Sequence, residues 1–411
     1  MKPAQISPDK TDIKKNNIIN ILEVIRRPGT HSRREIQKLT GLSWGAVSTI
    51  TAGLLEKGYI ADTGEKETAL GRKPSALDIN YEDNFIIGID LNILGLTVTV
   101  SDIKGRIKNE NTKILQRSDK IYILNELTKI LDSIILRDFR DKNLLCIGIA
   151  AQGPVDMETG VSIFSPHFTK WENVNICEML FKRYSIRAFI FHDPDCVLLA
   201  ERLFSDYDTQ NPVLIRLDKG IGMSAVVSGG AFLGARGHSS ELGHVTIDAN
   251  GPQCDCGKKG CFEVFATSTG IVRRFLEQAK QGARTSVRFN DPDSVTYMEI
   301  YEAANAGDEL CQKIYRSAGF HIGMAIACVI NLFGPDEIIL YGCIAEIHDI
   351  YENIMNETIR ENVFYASRLP VVRYSRLDKN AAALGGGLSA FSKYIRTEPL
   401  AFSHNKQGEK S

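Results

Sequence analysis

Beyond residue 80 the chain alternates short apolar runs with segments of helical periodicity, and this alternation restricts the possible folds more than any other feature. Strands that alternate with helices are typical of α/β folds. The turn Asp102–Gly105, which follows two of the runs, has the pattern of a hairpin, so we expect a mixed sheet. The predicted strands are Phe85–Leu91, Thr97–Ser101, Leu144–Ala150, Ala188–Phe191, Val213–Leu217 and Glu337–Tyr341, with a helix at Ile121–Leu136.

Size and composition indicate a soluble protein with more than one domain. A chain of 411 residues exceeds one ordinary core, and 43% apolar and 24% charged residues exclude a disordered or fibrous chain. No apolar run reaches the roughly 20 residues of a membrane span. The longest, Ile322–Phe333, is predicted to be a core helix or an interface, and Met1–Lys15 lacks the apolar segment of a signal peptide. We therefore expect a cytoplasmic protein without a membrane partner, in which the nine sparse cysteines are reduced.

The first 80 residues carry the pattern of a helix-turn-helix. Apolar spacing predicts a first helix at Asn16–Arg27. Ser32 and Glu35 form a capping-box pattern at the start of a second helix, and Gly41 separates it from a third helix that Ser43 caps. Two short helices joined by a glycine-containing turn are typical of DNA-binding helix-turn-helix domains.

The second helix of such a pair lies in the major groove and presents its N-terminal residues to base edges. Apolar runs at residues 59–62 and 75–80 predict a hairpin wing, whose basic tip is slim enough for a minor groove. A balance of 13 Lys and Arg against 9 Asp and Glu over residues 1–80 suits a DNA-facing module. A module that contacts another protein is the alternative. The predicted DNA contacts are Arg33 and Arg34 near phosphates, Ser43, Trp44, Ser48 and Thr49 near bases, and Arg72 and Lys73 in the wing tip.

A compact histidine–cysteine cluster, H-x9-C-x-C-x4-C, points to a metal site. Three thiolates and one imidazole suit a closed, tetrahedral, structural zinc ion, one per chain. Four protein ligands leave no open position, so we expect the metal to order the flanking Glu241 and Glu263 rather than to act as a Lewis acid. Reduced cysteines that merely cluster are the alternative. The predicted ligands are His244, Cys254, Cys256 and Cys261.

Over roughly residues 15–392 the sequence resembles the ROK family, which comprises repressors, open reading frames and sugar kinases. The matching segments are Gly148–Asp156, Ser165-Pro166 with Trp171, His192-Asp193, and Glu241–His244 leading into the cysteines. The resemblance implies a two-lobed actin/hexokinase-like α/β fold and zinc at the cluster. It also implies that a member with an N-terminal winged helix-turn-helix represses sugar-utilisation genes.

The predicted domains are a winged helix-turn-helix (1–80), a first α/β lobe (81–200), a second α/β lobe with the zinc loop (201–392), and a polar tail expected to be disordered (393–411). We expect these parts to assemble as a homodimer or homotetramer.

The resemblance also implies a sugar cleft. In family kinases an Asn-Asp pair binds the sugar and supplies the base, and here Asp193 matches that pattern whereas His192 departs from it. Purely structural roles are open: Asp193 could cap the helix that follows it, and Glu263 could simply start another. The sugar contacts that the resemblance implies are Gly153, His192, Asp193, Glu241, His244 and Glu263.

The nucleotide-binding loops of the family's kinases are altered here. Asp-x-Gly-Gly-Thr is replaced by Asp90–Leu94, Gly-Thr-Gly-x-Gly by Asp218–Gly222, and the adenosine loop by Tyr341–Cys343. Glycines allow the close backbone approach that phosphate binding needs. We therefore expect a repressor without enzymatic activity, which releases operator DNA when a sugar or sugar phosphate binds. An active ATP-dependent kinase with a fused DNA-binding domain is the alternative, and control by a protein partner is a third possibility.

Overall fold

The structure is a computed structural model that describes residues 10–26, 29–65, 75–80, 82–93, 95–165, 167–205, 209–234, 240–288 and 291–397. Arg72 and Lys73 of the predicted wing tip lie outside these ranges, as do residues 398–411 of the predicted tail. The helices are α1 (Lys10–Arg26), α2 (Arg33–Thr40), α3 (Trp44–Glu56), α4 (Lys120–Ser133), α5 (Ile176–Tyr184), α6 (Asp193–Phe204), α7 (Glu263–Ala266), α8 (Ser268–Lys280), α9 (Tyr297–Asn305), α10 (Glu309–Phe333), α11 (Glu352–Asn362) and α12 (Ala381–Thr397). The strands are β1 (His31–Ser32), β2 (Ile60–Glu65), β3 (Ser75–Ile79), β4 (Asn84–Asn92), β5 (Gly95–Asp102), β6 (Ile107–Ile114), β7 (Asn143–Ala151), β8 (Val155–Asp156), β9 (Val161–Phe164), β10 (Glu172–Val174), β11 (Ala188–His192), β12 (Pro212–Leu217), β13 (Ile221–Val227), β14 (Gly230–Ala231), β15 (Glu337–Tyr341) and β16 (Val371–Tyr374).

The N-terminal domain has the predicted helix-turn-helix and wing strands. The Ser32 hydroxyl accepts a hydrogen bond from the Glu35 amide, and the Glu35 carboxylate accepts one from the Ser32 amide, so α2 begins with the predicted capping box. Gly41 ends α2 in the left-handed region at φ 69°, and the Ser43 side chain caps α3. The wing strands pair antiparallel in the order β1-β3-β2, which includes a short strand that the sequence did not predict.

The first lobe is built on a five-stranded sheet in the order β11-β7-β4-β5-β6. Strands β4, β5 and β6 form antiparallel pairs whereas β4, β7 and β11 are parallel, so the predicted mixed sheet is confirmed. One face packs against α4 and α5, and α12 crosses the other face. A Cβ at Gly88 would lie 1.9 Å from the Ala383 carbonyl oxygen, so glycine permits this close crossing.

The second lobe contains a sheet in the order β14-β13-β12-β15-β16, covered by α8, α9, α10 and α11. Helix α10 is the one helix among the described residues that is long and apolar enough to cross a membrane. Tyr315, Ile322 and Ile326 of α10 are nevertheless buried in the second-lobe core. The predicted core role of this helix therefore agrees with the packing.

The C-terminal helix requires two corrections to the predicted domain limits. Helix α12, assigned from sequence to the second lobe, packs against β4, β7 and α6 of the first lobe. It also continues to Thr397, so residues 393–397 do not belong to a tail. The reason is that Phe391 and Ile395 are buried in a core shared with α1. The N-terminal domain therefore packs directly onto the first lobe.

Candidate functional site

A cavity of about 330 Å³ lies between the lobes, at the carboxyl ends of β7, β11 and β12. Parallel strands end at one edge of a sheet, and the loops that follow them are where α/β folds gather ligand-binding side chains. The structure brings all six residues of the predicted sugar site to this cavity, namely Gly153, His192, Asp193, Glu241, His244 and Glu263.

Asp193 is the first residue of α6 and does not cap it. The helix has no side-chain cap, and Asp193 Oδ2 instead accepts a hydrogen bond of 2.8 Å from Arg216 Nη1. The interpretation of Asp193 as a simple helix cap is therefore wrong. His192 Nε2 lies 3.9 Å from Asp193 Oδ1, and both side chains are largely buried.

Arg216, at the end of β12, is a central residue that sequence reasoning missed. Its Nε donates to Asp218 Oδ2 at 2.8 Å, and its Nη2 lies 3.5 Å from Asp90 Oδ2. Burial lowers the pKa of Arg216, but the three nearby carboxylates outweigh this effect and hold the pKa well above its ordinary value. One guanidinium thus links α6 to two of the three altered loops.

Asp90 and Asp218 are committed to contacts within the protein. Burial raises the pKa of Asp90 to about 6, opposed by Arg216 and by a hydrogen bond that Asn92 donates. The second oxygen of Asp218 accepts a 2.8 Å hydrogen bond from the Cys343 amide. Side chains therefore join β4 to the loops after β12 and β15.

Glu263 lies between the cavity and the loop after β12. Its Oε2 accepts a hydrogen bond of 3.1 Å from the Ile221 amide, and its Oε1 lies 4.0 Å from His167 Nε2. Burial lowers the pKa of His167, and Glu263 offsets this only in part, so the imidazole is neutral at pH 7. A neutral imidazole can both donate and accept hydrogen bonds. Glu263 does begin α7, as the structural alternative proposed, but it also lines the cavity.

The four predicted metal ligands converge beside the cavity. Their ligand atoms all lie within 4.8 Å of one another. Cys256 Sγ is 3.6 Å from Cys261 Sγ, and Cys254 Sγ is 3.8 Å from His244 Nδ1. Tetrahedral zinc with Zn–S bonds of about 2.3 Å separates two sulfurs by about 3.8 Å. The donor set and its spacing therefore fit zinc.

Backbone constraints hold the cysteine loop in this shape. The Ile247 amide donates to the Gly260 carbonyl, and a Cβ at Gly260 would lie 1.5 Å from the Asp248 carbonyl oxygen. Gly260 also has a φ of 63°, so the position requires glycine. Arg273 of α8 donates to the Gln253 carbonyl and fixes the outer part of the loop.

The predicted DNA-contacting residues that the structure describes belong to the N-terminal helices and do not line this cavity. Ser43, Trp44 and Thr49 are exposed on α3, where Trp44 is 49% accessible. Arg34 is exposed, whereas Arg33 uses its Nε to donate a hydrogen bond to the Thr51 hydroxyl within the domain. The predicted base and phosphate contacts stay predictions, and the wing pair lies outside the described residues.

Several cavity-lining residues had no signal in the sequence. Gln152 lies within the matching segment Gly148–Asp156 and His167 follows Ser165-Pro166, but neither forms a motif of its own. Arg216 belongs to an apolar strand run, where an arginine two residues before Asp218 is the one available signal. The missed lining residues that matter most are Gln152, His167, Arg216, Lys219 and Lys258.

Comparison with known proteins gives a consistent family assignment. The model of the ROK family matches residues 86–391. The chain is 30% identical over 377 residues to the transcriptional dual regulator NagC of Escherichia coli K12, covering 90% of this chain and 91% of that protein. It is 25% identical to the xylose repressor of Bacillus subtilis, covering 92% of this chain and 95% of that protein.

Solved structures show the same fold. A ROK family transcriptional regulator homologous to the E. coli MLC protein superposes with a TM-score of 0.80 at 27% identity, covering 94% of this chain and 98% of that one. A ROK glucokinase from Streptomyces griseus superposes with a TM-score of 0.65 at 20% identity, covering 75% of this chain and 99% of that one. The actin/hexokinase-like fold is therefore confirmed, and the chain belongs to the ROK family.

Proposed function

We propose that the protein is a sugar-responsive transcriptional repressor of the cytoplasm, which binds operator DNA through α3 and the wing. The observation that carries this proposal is the interlobe cavity: the predicted sugar-binding side chains meet there in a chain that also carries a winged helix-turn-helix. Related proteins of nearly full length include N-acetylglucosamine and xylose repressors.

The lining of the cavity suits a polyhydroxylated ligand. Asp193, Glu241 and Glu263 supply carboxylate acceptors, while the imidazoles of His167 and His192 can donate. Gly153, at φ 83°, brings the loop after β7 to the mouth of the cavity. A sugar or a sugar phosphate satisfies these acceptors and donors through its hydroxyl groups.

The metal site would hold one structural zinc ion through His244 Nδ1 and the three cysteine sulfurs. Zinc bound there would order the segment between Glu241 and Glu263, so one loop would fix two carboxylates that face the ligand. The four ligands fill the tetrahedral coordination shell, so the loop supplies a scaffold rather than a Lewis acid.

The same geometry opposes kinase activity. A base for a sugar hydroxyl must be able to receive a proton, but Asp193 is held in a buried ion pair with Arg216. Asp90 and Asp218, which share the Arg216 guanidinium with Asp193, place two further carboxylates at the end of the cleft where a nucleotide phosphate would bind, and these carboxylates disfavour an anion there. We therefore assign no phosphoryl transfer to this protein.

A homodimer would pair two recognition helices with a symmetric operator. An exposed apolar stripe runs along α10, at a spacing of four residues, and offers a contact between subunits. Phe320 is 44% and Leu332 78% accessible, and Cys328 between them is exposed. Leu332→Asp would then convert the dimer to a monomer in sedimentation, and an unchanged mass would exclude this surface.

The direct test is a gel-shift assay with DNA upstream of the protein's own gene and a panel of sugars and sugar phosphates, paired with an ATP-coupled kinase assay on the same panel. The proposal expects DNA binding, release by one compound and no ATP turnover. DNA binding that no sugar affects would favour control by a protein partner. ATP turnover with a sugar would favour the kinase.

A further inference from the structure

A buried ionic junction joins the N-terminal domain to the first lobe. Lys104, in the turn between β5 and β6, reaches into the N-terminal domain, where its ammonium group donates to Asp78 Oδ1 at 2.7 Å and to the Gly29 carbonyl at 3.2 Å. The Lys104 and Asp78 side chains are 7% and 8% exposed. The contact is therefore a desolvated ion pair between two domains.

A second pair of opposite charges is buried at the same junction. Asp102 is fully buried, and its Oδ1 accepts hydrogen bonds from the amides of Lys104 and Arg106. Asp102 Oδ2 and two nitrogens of Arg26, at the end of α1, have no hydrogen-bond partner among the described residues. Burial lowers the pKa of Arg26 to about 10, although Glu23 and Asp102 oppose the shift.

Helix α6 connects this junction to the ligand cavity. It begins at Asp193 in the cavity and ends at Phe204, about 16 Å away. A Cβ on Gly105, the residue after Lys104, would lie 2.4 Å from the Phe204 ring, so the end of α6 packs directly against the junction turn. A shift of Asp193 along the helix axis therefore reaches the Lys104 turn.

The second lobe also acts on this helix. Glu201 of α6 is 3.0 Å from Arg373 of β16, and Arg373 also pairs with Glu337 of β15 at 2.7 Å. Both carboxylates are almost fully buried. If one lobe moves against the other, α6 is therefore displaced through Glu201 near its end as well as through Asp193 at its start.

We propose that the junction of Arg26, Asp78, Asp102 and Lys104 is the contact through which α6 sets the position of the DNA-binding domain, with Lys104 as the positioning residue. This inference rests on the proposed repressor function. Buried ion pairs add little net stability compared with apolar replacements, but they fix the register of the groups they join. We therefore expect this junction to define discrete positions of the N-terminal domain on the first lobe, rather than only to hold the two domains together.

The test replaces the interdomain pair in the full-length protein with apolar residues, as Asp78→Leu with Lys104→Met. The control is Asp132→Leu with Arg183→Met, which makes the same substitutions at a partly exposed first-lobe ion pair outside α6 and the N-terminal domain. The single variant Lys104→Arg retains the charge, so sugar should still lower its operator affinity as in the wild type. Operator affinity is measured with and without N-acetylglucosamine, its 6-phosphate, D-xylose and D-glucose.

Wild type and control should lose roughly 5- to 150-fold in operator affinity with the active sugar. The junction variant should keep sugar binding but show less than about a 2-fold change in operator affinity. Coupling that persists at the wild-type level would overturn the inference. If no sugar affects the wild type, the proposed function fails instead.

Hydrogen exchange of the sugar-free proteins tests the junction without any ligand. Amides of α1 should exchange at least several-fold faster in the junction variant than in the control, while those of β12 and β15 stay equal. Equal exchange of α1 in the two proteins would mean that the junction does not hold the domain, and the inference would be wrong.

Discussion

The two ends of the interlobe cleft use carboxylates in opposite ways. At the metal-loop end, Glu241 and Glu263 line the cavity, and the sequence between them carries the four candidate metal ligands. At the other end, Asp90 and Asp218 are already bound by Arg216, Asn92 and the Cys343 amide. A carboxylate committed to protein donors has few lone pairs left for a ligand. Of the two ends, the one that contains Asp90 and Asp218 therefore has less capacity to bind a ligand.

The largest expected effect comes from breaking the metal-loop end. Cys256→Ser should reduce bound zinc from about one equivalent to almost none and lower the free energy of unfolding by about 3 kcal/mol, because loss of a metal site is among the most destabilising single changes. Elemental analysis and urea denaturation measure both. Lys259→Ser, at an exposed position of the same loop that is not a candidate metal ligand, is the control. A wild-type protein that is folded and free of metal would contradict the account.

A pair of aspartate variants compares the two ends directly. Asp193→Asn should weaken binding of the active sugar about 10- to 100-fold, because a hydrogen bond to a charged acceptor is worth about 1.5–3 kcal/mol. Asp218→Asn should change the affinity by less than about 2-fold, since both its oxygens bind protein donors. Calorimetric titration gives both numbers. Equal losses would show that the two ends do not differ.

Substitutions on the DNA-binding surface should change operator affinity without changing sugar or metal binding in the cleft. Arg34→Ala should weaken operator binding about 3- to 10-fold, because it removes a phosphate contact. The slope of log affinity against log salt concentration should become shallower by about one. Arg72→Ala should act in the same direction. Arg117→Ala, which removes an exposed charge from the first lobe, serves as control. Unchanged affinity in Arg34→Ala would exclude this residue from the interface.

The last prediction concerns the pH dependence of stability at Asp90. Its pKa of about 6 lies above the ordinary value of about 3.9, so the folded state binds the proton more tightly and stability falls as the pH rises through that window. Asp90→Asn should therefore raise the free energy of unfolding at pH 7 by about 1–3 kcal/mol and flatten its dependence between pH 4 and 6. Asp132→Asn, whose carboxylate is exposed and stabilised by Arg183, should give no gain. Urea denaturation of the wild type and both variants at several pH values measures these differences.

Local patterns allowed the sequence to predict much of this architecture. The capping box at Ser32, the hairpin at Asp102 and the spacing of the metal ligands depend on short-range geometry that a sequence displays directly. The return of α12 to the first lobe could not be predicted, because nothing local to residues 381–397 says which sheet they cover. Arg216 was missed for a related reason: two of its three carboxylate partners lie 23 and 126 residues away, and only Asp218 is near in sequence.

Operator binding by the full-length protein, measured with a sugar panel in the absence and presence of Mg-ATP, tests the central claim most directly. The account predicts that one sugar or sugar phosphate releases the DNA equally well without ATP, and that ATP is not consumed. Release that requires ATP, or phosphorylation of the sugar, would contradict the proposed closure of the nucleotide end.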